Sequence, residues 1–364
     1  MKKRMAIILT VLITFVSLSA CGGTAGSDEP VSNGADSSEQ VETGTENNSA
    51  DTAPESEGQE ESRPDTTSDQ PDTTPDQPIV YFTPDISAQG LVDVYQSLGW
   101  EPTGKVAVKI STGEPPASNY LRPELIGDLV KMLDGTIVEC NTAYGGSRSS
   151  AAMHKQVAED HGFTAIAGFD LLDEDGEVEW PVTGGTRLKR AIVGSHAENY
   201  SDWVILSHFK GHAMAGFGGA IKNVAIGMSS PGGKVYVHTA GTKTSGSIWY
   251  DDQDAWLEAL GEMVTGVCDH VGAEHMIFIN VMNRLSVDCD CDGNPAEPDM
   301  HDIGVLASFD PVALDQACID LVYQAQDSAS LVERIESRNG IHTLEHAEEI
   351  GLGSRTYELV NVEK

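Results

Sequence analysis

Basic residues are scarce in this chain: 22 Lys and Arg stand against 57 Asp and Glu in 364 residues, a formal net charge of -35. So acidic a chain cannot neutralise phosphates along an extended surface, which excludes nucleic acid as a partner and flat adsorption on anionic lipid. Long apolar runs are missing after residue 20, so no second membrane span is expected. Cysteine is sparse too. Apart from Cys21 there are Cys140, Cys268, Cys289, Cys291 and Cys318, an odd set that excludes complete disulfide pairing and leaves at least one thiol free or bound to something.

What is present begins with MKKRMAIILTVLITFVSLSA over 1–20, a basic start followed by an apolar run too short to span comfortably. This reads as an export signal. LSAC at its end resembles the lipobox of bacterial lipoproteins, in which the cysteine is acylated, so Cys21 is the expected lipid anchor and the cell membrane, on its extracytoplasmic side, the expected location. No twin arginine occurs near the start, so export of an unfolded chain is expected. Residues 21–78 then form an expected acidic, disordered tether: from 22 onward 15 Asp and Glu accompany one basic residue, Arg63, and PDTTSDQ is followed directly by PDTTPDQ. Such a stretch holds too little apolar surface to offset the entropy of ordering.

From Ile79 to Lys364 the composition becomes globular. Strands are expected at 105–110, 136–140, 203–208, 276–282 and 302–308, and helices at 123–133, 149–162, 254–272 and 310–324. Their alternation implies an α/β fold, a mainly parallel sheet with helices on both faces, as one large or two intimate units. Asp310 before Pro311 reads as an N-cap. Cys268 and Cys318 fall among apolar helical neighbours and read as buried structural thiols.

Three chemically unusual loops follow strand ends. They are NTAYGGSR (141–148), HFKGHAMAGFGGAIK (208–222) and NRLSVDCDCDG (283–293). In a parallel sheet, ligands bind beyond the carboxyl ends of the strands, so the three are expected to line one pocket. His208 and His212 are candidate metal ligands. Gly216, Gly218 and Gly219 would let a ligand approach the backbone closely, and Lys222 follows on a short helix whose amino end could face the same place. A metal or metal-cofactor site, an anion nest and a structural turn are all compatible with this segment; it lacks the G-K-S/T ending of a phosphate-binding P-loop. Cys289 and Cys291 could hold a soft metal or form a strained disulfide, and the flanking aspartates lack the full calcium-loop pattern. Arg148 could meet a carboxylate or phosphate with bidentate geometry.

KISTGE (109–114), VECNTAYGGSR (138–148), LSHFKGHAMAGFGGAIKNVAIGM (206–228), VDCDCDG (287–293), DIGVLASFDPVALDQACIDLVY (302–323) and RIESRNG (334–340) together resemble the family known as domain of unknown function three-six-two, often labelled iron-sulfur centre proteins. Many such proteins carry an inserted C-x-x-C-x-x-C segment, which this chain does not contain. More locally, His212, Ala215, Gly216, Phe217, Gly219 and Lys222 are similar to the segment with which nickel-pincer lactate racemases hold their cofactor. That resemblance implies a metal ligand at His212 and a cofactor anchor at Lys222. Where those enzymes supply a catalytic histidine, this chain has Gly146, Ser147 and Arg148, so lactate racemisation is not expected.

The resulting expectation is a lipid-anchored domain with a metal or cofactor site at His208, His212, Lys222, Cys289 and Cys291, redox or metal-dependent in its chemistry. Export of an unfolded chain favours a divalent ion or small ligand over an iron-sulfur cluster. The competing expectation is a binding protein for a small organic anion.

Overall fold

The computed structural model describes residues 77–362, which fall within one compact unit. The export signal, Cys21 and the repeats lie outside the described residues. Among the described residues no helix is long and apolar enough to cross a membrane.

The amino-terminal part runs β1 (Ile79–Thr83), α1 (Ala88–Ser97), β2 (Val106–Lys109), α2 (Pro123–Met132), β3 (Thr136–Glu139), α3 (Ala151–Asp160) and β4 (Phe169–Leu171). A hairpin of β5 (Glu177–Pro181) and β6 (Arg190–Gly194) leads to β7 (Asp202–His208), then to a second hairpin, β8 (Lys210–His212) and β9 (Gly216–Gly218). There follow α4 (Ala220–Ala225), α5 (Pro231–His238), α6 (Gln253–Val271), β10 (Met276–Met282) and β11 (Gly304–Ser308). The chain closes with α7 (Pro311–Gln324), α8 (Ala329–Ser337), α9 (His342–Glu349) and β12 (Glu358–Asn361).

Eight strands form the central sheet in the order β12-β1-β11-β10-β7-β2-β3-β4. Pairing is parallel from β10 through β4 and between β1 and β12, and antiparallel on both sides of β11. The fold is α/β, and the strands and helices expected from periodicity are present within a residue or two.

Alternation of side chains across the pleat explains the layers. In β7, Val204 and Leu206 join one core with Leu91 of α1 and Leu129 of α2, while Trp203 and Ile205 join the other with residues of α4, α6 and α7. Both faces are therefore covered, and the carboxyl ends of β2, β3, β7 and β10 open on one edge. Asp310 caps α7 as expected, accepting from Val312 N at 2.8 Å and Ala313 N at 2.9 Å, and it also accepts from Ser354 N at 2.8 Å. Asp310→Ala should lower unfolding free energy by about 1–2 kcal/mol in urea titrations.

Candidate functional site

A cavity of about 420 Å³ opens at that edge. Residues from all three unusual loops line it: Tyr144 and Arg148, His212 and Lys222, Cys289 and Cys291. Lys109, Glu139 and His208, which end the adjacent strands β2, β3 and β7, form part of its floor.

The floor is a buried charge network. Glu139 accepts from Thr112 N at 2.9 Å and approaches His154 Nε2 at 2.5 Å and Arg148 Nη1 at 3.5 Å. Burial alone would raise its pKa, but His154, then Arg148 and Lys109, hold it well below the usual glutamate range. Arg148 also pairs through Nε with Glu114 at 3.0 Å and donates Nη2 to the Tyr144 hydroxyl at 3.1 Å. Its guanidinium is thus engaged by the protein's own groups and organises the floor; bidentate capture of a ligand, the sequence expectation, would require those contacts to break.

The lysines divide into two kinds. Lys210 pairs with Asp290 at 3.1 Å, which outweighs the effect of burial and raises its pKa. Lys109, Lys222 and Lys234 line the cavity with no described carboxylate within ion-pair distance. Lys109 donates to Ile110 O at 2.5 Å and Asn223 Oδ1 at 3.0 Å, and Lys234 to Ser229 O at 2.6 Å. Burial lowers the pKa of both amines, that of Lys109 to about 8. Lys109 and Lys234 were not singled out from the sequence; the available signal was a charged residue closing the apolar run KVAVK.

The four histidine and cysteine candidates meet at one wall but take different parts. His208 is not free to ligate: its Nδ1 contacts Asp290 Oδ1 at 2.8 Å and its Nε2 contacts Asn283 O at 2.6 Å. Asp290, between the two cysteines in sequence, is thereby held fully buried. His212, Cys289 and Cys291 do bring three ligand atoms within 4.8 Å of one another, a spacing compatible with a metal. In this structure the imidazole is turned to another use. Met214 N–H and Ala215 N–H both donate to His212 Nδ1, at 3.1 and 2.9 Å. A neutral ring must then carry its proton on Nε2, whereas a metal-bound histidine donates its second nitrogen to an acceptor. Burial, then Lys222, lowers the pKa of His212 to about 4, so Nε2–H is the neutral ring's donor toward Cys289. The expectation of metal ligation is corrected for His208, both of whose ring nitrogens are engaged; His212 stays grouped with Cys289 and Cys291 and is turned in this structure to donate.

Cys289 is the group this arrangement favours as an anion. The hydrogen bond from Cys291 lowers its pKa most; burial opposes this, and Lys222, Lys210 and the His212 donor add to the lowering, leaving it well below the usual thiol range. Cys291 is displaced upward by the same hydrogen bond and by burial. The two sulfurs are thus unequal, Cys289 being the one favoured as the anion. His238, which sequence reading missed, faces the cavity from α5. Its Nδ1 donates to Lys234 O at 2.7 Å, and burial lowers its pKa to about 3. Its Nε2 is therefore an unprotonated acceptor.

The glycines also divide. Gly218 lies between Lys210 and Lys222, each with a side-chain carbon 3.6 Å from an added Cβ. At Gly219 a Cβ would fall 2.3 Å from Asp315 Oδ1. The same carboxylate accepts from Ala220 N at 2.8 Å and Ile221 N at 3.0 Å, so the amino end of α4 is capped from within and is not an open anion nest. Gly219→Ala should cost roughly 1–3 kcal/mol of stability, read as a lower urea midpoint. Gly216 has φ +81° and packs on Ile335 and Gly340 beside α8, not on the cavity. Its role is a close backbone approach, which corrects its assignment as a cofactor contact.

The fold and this edge define a mainly parallel-sheet α/β protein with a cavity at the strand ends. The sequence profile of the Domain of unknown function (DUF362) family matches residues 106–320, and the chain belongs to that family. No protein of curated function matches it in sequence. The lactate racemase apoprotein from Thermoanaerobacterium thermosaccharolyticum is similar in structure with a TM-score of 0.41 at 12% identity, over 69% of this chain and 58% of that one. The chain therefore spans less than two thirds of that structure, and a likeness of this degree assigns no residue a role.

Neither group associated with these resemblances fits the donors present. An iron-sulfur cluster takes four protein ligands, usually all thiolates. The cavity wall offers Cys289 and Cys291 as a pair; Cys140 lines the same cavity, but it donates to Met228 O at 3.2 Å and burial keeps it a thiol, with a pKa of about 12. A nickel ion at His212 meets the reversed imidazole.

Proposed function

We propose that the cavity takes up a small organic anion and that Cys289 is the group that reacts with it, making the chain a thiol-dependent enzyme. The observation that carries this is the coexistence, on one cavity surface, of two buried amines, Lys109 and Lys234, and a half-buried one, Lys222, none with a described carboxylate within ion-pair distance, beside a thiol surrounded by donors. Buried cations are costly unless paired. An entering anion would supply the missing partner, and His238 Nε2 would accept a hydrogen bond from it. On the same reading the domain is held outside the cytoplasm by lipid on Cys21, a reading supported by the apolar leader and the LSAC sequence. Cys21→Ala should then move the chain from the membrane to the soluble fraction of the cells that make it.

The test of the cavity is a thermal-shift comparison on the full chain. Succinate, malonate and glycerol phosphate should raise the melting temperature, their neutral amide or alcohol counterparts should not, and Lys222→Gln should reduce the effect. Calorimetry adds a sign. An anion beside Lys109 raises its pKa from about 8, so binding near pH 8 takes up protons and its enthalpy varies with the ionisation enthalpy of the buffer. Equal stabilisation by the neutral compounds, or stabilisation by metals alone, would overturn the reading.

A further inference from the structure

We propose that Cys289 and Cys291 form a thiol–disulfide exchange couple for small anionic thiols and disulfides, with Cys289 attacking and Cys291 resolving. The charge of the substrate rests on the anion-cavity reading above; the chemistry rests on how the backbone holds the two sulfurs.

The segment is a closed turn: Asp292 N–H donates to Cys289 O at 2.9 Å. The residue between the cysteines is anchored away from them. Asp290 is held by His208 at 2.8 Å and Lys210 at 3.1 Å, and its backbone carbonyl accepts from Glu114 N at 2.8 Å. Asp288, on the other side, is tied to Arg334 at 3.2 Å. With the acidic side chains fixed outside the pair, Cys289 and Cys291 are left on the cavity side and hydrogen-bond to each other. Both are free thiols.

Their surroundings differ in the way that attack and resolution require. Cys289 is buried, faces Lys210 and Lys222 and receives the His212 donor; Cys291 is half-buried and has Cys289 as its hydrogen-bond partner. In the first step Cys289 Sγ, as thiolate, attacks one sulfur of a disulfide R–S–S–R, forming a mixed disulfide and expelling RS⁻. In the second, Cys291 loses its proton, to water or to the departing thiolate, and attacks the Cys289 sulfur. The intramolecular disulfide closes and a second RS⁻ leaves. Two electrons pass from the pair to the substrate, and the reverse sequence oxidises two small thiols. A disulfide across a single intervening residue closes a small, strained ring, and the donors around Cys289 stabilise the reduced form. Both effects make the oxidised pair a stronger oxidant than an unconstrained dithiol's disulfide.

The experiment treats the reduced full chain with an excess of dithiodiglycolate, a dianionic disulfide, or of 2-hydroxyethyl disulfide, a neutral one of similar size, and maps the products by peptide mass spectrometry. A Cys289–Cys291 disulfide is expected, formed about tenfold faster with the dianion, with the ratio falling as salt rises. Cys291→Ser should stop at a mixed disulfide on Cys289, and Cys289→Ser should leave Cys291 largely unreacted. If Cys289 reacts but no ring closes, and Cys291→Ser behaves as the wild type, the couple is overturned while the anion cavity stands. Equal rates with the two probes would remove the charge selectivity and, with it, the support from the cavity reading. A stoichiometric metal masking both thiols in the isolated chain would overturn the couple as well.

Discussion

Glu139→Ala should cost about 3–5 kcal/mol of unfolding free energy, the range for removing one partner of a buried ion pair. The glutamate is the anion around which Arg148, His154 and Lys109 are packed at 4%, 0% and 1% exposure. Without it Arg148 retains Glu114, but the buried Lys109 amine loses its nearby negative charge and Thr112 N–H loses an acceptor. Glu139→Gln keeps the shape and some hydrogen bonds and should fall between alanine and wild type. The pH dependence follows from the direction of the shift. The folded pKa lies below the ordinary value of 4.5; the stabilisation is therefore complete above that value and disappears as pH falls below it toward the folded pKa. In Glu139→Gln this part of the acid limb should be missing from urea midpoints measured between pH 5 and 3. A loss below 1 kcal/mol for the alanine variant would show that the surrounding cations are solvated in solution.

At pH 6 Cys289 should be alkylated by iodoacetamide at least tenfold faster than an ordinary exposed thiol. A thiol of pKa about 8.5 is roughly 0.3% ionised at that pH, whereas a strongly depressed one is mostly thiolate; the lower intrinsic nucleophilicity of a weakly basic sulfur takes back part of the gain. Lys222→Gln and His212→Ala each remove a contribution that lowers the Cys289 pKa, so both should move the midpoint of the rate-versus-pH curve upward. Cys291, displaced the other way, should remain unmodified at limiting reagent. A midpoint at or above 8.5 in the wild type would contradict the arrangement of donors around Cys289.

These two residues mark how far the sequence could be read. Cys289 stands out because two thiols and three carboxylates fall within DCDCDG, and rarity of that kind needs no fold to be noticed. Glu139 does not stand out. It is one acidic residue among many, and its meaning comes from ending β3 next to Lys109 at the end of β2, a neighbour 30 residues away that only strand register brings close. Lys234 and His238 escaped for a related reason: α5 reaches the cavity through packing, and PGGKVYVH carries no spacing that announces it.

By itself the sequence determined the alternation of strands and helices, because periodicity and caps are local, and it determined that three unusual loops leave one edge of a parallel sheet. It could not tell an imidazole that ligates from one that donates. That was decided by tertiary contacts: two backbone N–H groups aimed at His212 Nδ1, and Asp290 and the Asn283 carbonyl enclosing His208. Tertiary structure likewise placed Asp315, 95 residues away along the chain, over the amino end of α4, closing a nest that the glycines alone would leave open. Residue types limit which chemistry is possible, but protonation and hydrogen-bond direction depend on groups that meet only when the chain is folded.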